Sequence, residues 1–181
     1  MPARIVIISG LPGTGKTSVS RMLAEKSLRE RAVHIQADGY WQSIHKGYIH
    51  PWLSDSGQQN DTVIKAVCAS AKVFAKGGYE VFVDGVIGPW FLKPWVKLAK
   101  KGMDVRYIIL RTDEATTVLR AAERQQREPF PLTCDVISSL WSSFSDLGKY
   151  ESHVLDTTKQ TIEESAFAIQ NGLIGSNYRI I

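Results

Sequence analysis

Five short apolar runs alternate along the chain with longer stretches whose apolar residues recur at helical spacing. The runs are Ile5-Val6-Ile7-Ile8, Ala32-Val33-His34-Ile35-Gln36, Tyr79-Glu80-Val81-Phe82-Val83, Val105 to Leu110 and His153-Val154-Leu155. Each is too short for a helix and reads as a strand. Ser18 to Glu30 spaces Val19, Met22, Leu23 and Leu28 for one helix face, and Asp61 to Lys76 does the same with Val63, Ile64, Val67 and Phe74 until Gly77-Gly78 stops it. Pro89 to Lys101 reads as a helix interrupted by Pro94, with Trp90 and Trp95 in the core. Asp113 caps a helix running to about Arg127, which Glu128-Pro129-Phe130-Pro131 breaks; Thr133 to Leu147 and Ile162 to Leu173 follow as helices. From Tyr40 to Asn60 the pattern dissolves into aromatics, Gly, Pro51 and Ser, which predicts a long irregular insertion serving as a substrate cap.

Strands alternating with helices imply a parallel sheet covered on both faces, an α/β architecture of three layers that binds ligands at the carboxyl ends of its strands. With 181 residues the chain fits one domain, 1–181, and no apolar run approaches the roughly 20 residues of a membrane span. The N-terminus enters a strand without signal-peptide regions, so the expected location is the cytoplasm. Cys68 and Cys134 support neither a disulfide framework nor a zinc site. The net charge of +4 can mean nucleic acid, but a nucleotide-phosphate pocket needs several cations of its own, so the modest excess does not decide.

The first strand runs into Gly10-Leu11-Pro12-Gly13-Thr14-Gly15-Lys16-Thr17-Ser18, which carries the spacing G-x-x-x-x-G-K-[ST] of a phosphate-binding P-loop. Its glycines let successive N–H groups turn inward on an oligophosphate, and the following helix aims its positive end at the same place. In such a loop Lys16 reaches the β- and γ-phosphates of ATP and the Thr17 hydroxyl binds Mg²⁺.

The parallel arrangement brings Asp38, Asp84, Arg111 and Asp156-Thr157 to the same sheet edge as the P-loop. Asp84 is assigned to Mg²⁺, against the plainer role of a turn Asp before Gly85, and Asp38 to the general base, against a plain Asp-Gly turn; the two carboxylate roles are interchangeable on sequence alone. Arg120, Arg124 and Arg127 fall on one helix face before Pro129 and form the candidate lid, about 120–133, that counters charge during transfer; an exposed charged face is the alternative. Tyr40, Trp41, His45, Tyr48, His50 and Trp52 crowd the insertion and suit a small organic acceptor, or pack the insertion on the core.

The P-loop, the acids after the second and third strands, the Arg-bearing helix and the closing Asp156-Thr157-Thr158 resemble the small P-loop kinases of the nucleoside-monophosphate-kinase fold, and most of all the chloramphenicol phosphotransferase-like branch. The resemblance implies a five-stranded sheet of order 2-3-1-4-5, a lid closing over ATP, Asp38 as base and Thr157 near the adenine. The acceptor-binding residues of shikimate, gluconate and chloramphenicol kinases do not map onto the insertion. The function implied is transfer of the γ-phosphate of ATP to a hydroxyl of a small molecule by a monomer or homodimer. A nucleotide or polynucleotide kinase is the nearest alternative; the run Lys93, Lys97, Lys100 and Lys101 otherwise reads as a solvated face. A regulatory NTPase acting through a protein partner is the alternative from another class. A GTPase switch lacks its motifs, since Asp84-Gly85-Val86-Ile87 has Ile where D-x-x-G needs Gly, and an AAA-type or ABC-type motor needs a larger chain.

Overall fold

A computed structural model describes residues 3–127 and 134–181, with the side chains of 124–127 and 134–135 outside the description. Its five strands, β1 (Arg4–Gly10), β2 (Ala32–Gln36), β3 (Glu80–Gly85), β4 (Asp104–Arg111) and β5 (Val154–Asp156), form one parallel sheet in the order β2-β3-β1-β4-β5. The central strands are buried on both sides, which is why they read as unbroken apolar runs. Strand alternation sends Val6, Ile8, Phe82, Ile108 and Leu110 to one face, where they meet Val19 and Leu23 of α1 (Lys16–Glu25) and Ala166, Ile169 and Leu173 of α7 (Ile162–Ile174). Ile5, Ile7, Val81, Val83 and Ile109 go to the other, against α3 (Gly57–Lys76), α4 (Lys93–Ala99) and α6 (Cys134–Ser145). Two helices stand at the carboxyl edge, α2 (Asp38–Gln42) and α5 (Glu114–Arg127). Among the described residues no helix is long and apolar enough to cross a membrane.

Four local expectations change. The first helix ends at Glu25, and Leu28 beyond it is 100% exposed. Ser27 accounts for this: its hydroxyl donates to Glu80 Oε2 and accepts from the Arg29 N–H, tying a turn where the helix would have continued. The insertion is shorter than 40–60, because the chain is already helical over Asp38–Gln42 and α3 begins at Gly57. Polar side chains fix that start: Asn60 donates to Pro51 O (2.7 Å) and accepts from Trp41 Nε1 (2.8 Å), while Gln59 bonds both the N–H and the carbonyl of Ile49. Pro94 lies in the first turn of α4, where its missing N–H costs nothing, so it starts that helix and does not interrupt it. Trp95 is fully buried, but Trp90 is 53% exposed, because Pro89–Phe91 is a separate 3-10 turn that leaves its ring edge-on to Phe144 at the surface.

Candidate active site

The loop between β1 and α1 is shaped by two close approaches. At Gly10 (φ +148°) a Cβ would sit 2.5 Å from Leu110 O, and at Gly13 (φ +86°) it would sit 2.9 Å from Arg120 Cβ. Only glycine lets the loop lie this near to β4 and α5. The Thr14 hydroxyl turns inward and donates to Leu11 O (2.8 Å), closing the loop on itself. Lys16 is 5% exposed, and its Nζ donates to Leu11 O at 3.4 Å. Pro12 is buried and Ser18 exposed. Gly15 is the N-cap of α1, so the first helical turn and the positive end of the helix open onto the loop.

Next to it stands an acid with two partners. Asp84, at the end of β3 and 3% exposed, accepts from the Thr17 hydroxyl at Oδ2 (2.6 Å) and bonds His34 Nε2 at Oδ1 (2.5 Å). Asp38 opens α2, exposed, with Oδ1 3.7 Å from the position a Cβ on Gly85 would take, so the two carboxylates stand on neighbouring strand ends. Beyond Asp38, burial and the Asp38 charge both raise the Tyr48 pKa. Tyr48 meets His50 edge-on (5.3 Å between centroids), and His50 stacks on Trp52 (4.6 Å, 21°). Trp52 packs against Ala121 of α5 and Ile137 of α6. An aromatic ladder thus runs from beside the candidate base to the candidate lid, and within it His50 Nδ1 is buried without a hydrogen-bond partner among the described residues. Trp41 packs into the core and Tyr40 against it, while His45 is exposed.

Arg120 reaches from α5 to the P-loop, with long bonds of 3.4 Å from its guanidinium to Gly13 O and to Thr158 O. The side chains of Arg124 and Arg127 lie outside the described residues, as do residues 128–133 of the lid segment. Thr157 is 3% exposed with its hydroxyl unpartnered among the described residues, and its N–H donates to Arg111 O. Arg111 is committed to structure: it grips Glu151 with two bonds of 3.0 Å and also donates to the carbonyls of Phe144 and Ser145. That grip, with the Leu147 N–H, holds the Glu151 carboxyl below its ordinary pKa. His34 is the site residue that the sequence reading missed; its only signal was a polar ring within an otherwise apolar strand.

The pair Thr17 and Asp84 fits Mg²⁺. Two hard oxygen donors stand beside a phosphate cradle, and among the described residues no cluster of three or more His, Cys, Asp or Glu offers a cage for another kind of ion. Mg²⁺ is held in this way, by one or two protein oxygens together with substrate phosphates.

The sheet order and the Gly10–Thr17 loop between β1 and α1 define a P-loop domain of the three-layer α/β class. Within that class the chain belongs to the AAA domain family, whose model matches residues 6–131. No curated protein matches the sequence. Among solved structures the chain is similar to the APS kinase of Mycobacterium tuberculosis in complex with AMPPNP and APS, at 18% identity and a TM-score of 0.64, over 96% of this chain and 99% of that one. It is similar to the tunicamycin resistance protein of Deinococcus radiodurans (17%, TM-score 0.68, 94% and 95%) and to a sugar kinase from Janibacter (16%, TM-score 0.67, 96% and 95%). At these identities the likeness is one of fold, and it is the small-kinase fold that the residues resembled.

Proposed function

We propose that the protein is an ATP-dependent phosphotransferase that moves the γ-phosphate to a hydroxyl of a small organic molecule. The observation that carries this reading is the juxtaposition at one sheet edge of the Thr17–Asp84 pair and a second, exposed carboxylate, Asp38, facing an aromatic cap. A nucleotide switch needs the first pair; an acceptor-directed acid beside it suits a kinase. Kinases among the similar structures, one of them holding AMPPNP, support the class.

In this reading the P-loop N–H groups and Lys16 bind the β- and γ-phosphates, and Thr157 lies near the adenine. Thr17 and Asp84 would hold Mg²⁺, which supplies positive charge to the β- and γ-oxygens. Asp38 takes the proton of the acceptor hydroxyl; that oxygen bonds to the γ-phosphorus, the bond to the bridging oxygen breaks, and ADP carries the electron pair away. Arg120, with Arg124 and Arg127 on the same helix, counters charge on the moving phosphoryl group. The ladder Tyr48-His50-Trp52 offers ring faces and one unpartnered nitrogen to the acceptor. The exposed lysines 93, 97, 100 and 101 keep a polynucleotide acceptor as the second reading.

The test is transfer from γ-labelled ATP, with Mg²⁺, to separate pools of small alcohols, nucleotides and oligonucleotides. Label in the small-molecule pool is expected, with Asp38→Asn binding ATP normally but transferring about 10²-fold more slowly. Label in the oligonucleotide pool selects the second reading, and ATP binding without label in any pool favours a regulatory NTPase.

A further inference from the structure

We infer that His34 is a positioning residue for the metal-binding end of the site: its Nε2–H holds Asp84 in the orientation that Thr17 and Mg²⁺ require. The inference rests on the assignment of Asp84 to Mg²⁺ above and adds a residue that no P-loop spacing contains.

β2 and β3 pair in register, His34 with Phe82 and Gln36 with Asp84, so all four side chains leave the sheet on the face that α1 covers. Asp84 has Ile8 on its other side, in β1. An acid that is 3% exposed and flanked by an apolar strand needs partners for both carboxylate oxygens. Thr17 serves Oδ2 and His34 serves Oδ1. An ionised carboxylate only accepts, so Nε2 carries the proton in this bond. The torsion that turns a carboxylate plane is soft, and one partner leaves it free to rotate. Two partners on opposite oxygens fix it, and they leave the Thr17 side facing the phosphate cradle. His34 itself is anchored by the β2 ladder and is 15% exposed, so it acts as a rigid outer support. Partners of this kind change metal affinity about 10- to 100-fold when removed.

The test compares His34→Leu and His34→Gln, which have similar bulk but differ in the presence of an N–H donor. The affinity of full-length protein for ATP is measured by calorimetry in Mg²⁺ and again in EDTA, with melting temperatures to confirm folding. In His34→Leu the gain in ATP affinity from Mg²⁺ should fall about 10-fold, while affinity in EDTA stays within about twofold. His34→Gln should restore most of the gain, and His34→Leu should add nothing in an Asp84→Asn background. An undiminished gain in His34→Leu overturns the inference, as does an equal loss in both media or a His34→Gln no better than Leu. A wild-type protein that binds ATP equally in Mg²⁺ and EDTA overturns the metal assignment of Asp84 along with it, which separates the two failures.

Discussion

Gly13 is the point where the P-loop and α5 touch. Its backbone lies under Arg120 Cβ with φ at +86°, so Gly13→Ala adds a methyl both where the dihedral resists it and where a neighbour stands 2.9 Å away. Strain of this kind costs about 1–3 kcal/mol. We expect Gly13→Ala to weaken ATP binding at least about tenfold, measured by titration. Lys16→Ala should abolish nucleotide-dependent turnover; unchanged turnover removes the loop from the mechanism. The P-loop was readable from sequence because its spacing is itself the geometry: glycines where N–H groups converge, then Lys and Thr on the first helical turn. Asp84 was readable as an acid at a strand end. His34 was not, because a single His in a strand does not show which side chain lies across the ladder. Arg111 sat at the correct edge, yet Glu151 and two carbonyls claim it, and no local pattern announces partners 33 to 40 residues away.

Helix α7 starts at a capping box in which the Thr161 hydroxyl accepts from the Glu164 N–H and the Glu164 carboxylate accepts from the Thr161 N–H. Thr161→Ala should lower stability by about 1 kcal/mol in denaturant unfolding, with ATP affinity unchanged. Trp52 belongs to a different kind of contact, joining the insertion to α5 and α6 through Ala121 and Ile137. Under the cap and lid roles proposed above, Trp52→Ala should raise the KM for the acceptor several-fold more than that for ATP, which steady-state kinetics with each substrate varied resolves. Periodicity placed most of these elements because their apolar faces are wide. It failed at α2, whose five residues are too few to show a period, and at the start of α3, which Ser56, Gln59 and Asn60 set by hydrogen bonds.

At the scale of the molecule, the sheet gathers the P-loop, Asp38 and Asp84 on one edge, while Arg111 and Glu151 tie the end of β4 to the turn before β5. Because the Arg111 bond and the Leu147 N–H lower the Glu151 pKa, this tie stabilises the fold above the ordinary glutamate value, about 4.3, and is lost as pH falls through the lowered folded value. The pair is partly exposed, so its worth is about 1 kcal/mol or less. Glu151→Gln should therefore lower the melting temperature slightly at neutral pH, by no more than about 1 kcal/mol of stability, and converge with the unsubstituted protein as pH falls below about 4.3. The number and direction of the strands followed from the alternation of runs. Their order came from the family resemblance, since five parallel strands joined by right-handed crossovers still allow several arrangements.

Phosphoryl transfer itself is most directly followed by ³¹P NMR of ATP and Mg²⁺ with the acceptor pool that takes label. A kinase of this design converts the γ-signal into a phosphomonoester signal with ADP in equal amount, and Asp38→Asn slows that conversion about 10²-fold without loss of ATP binding. A γ-signal that passes wholly to inorganic phosphate at the same rate in both proteins would contradict a hydroxyl acceptor and the role of Asp38 together.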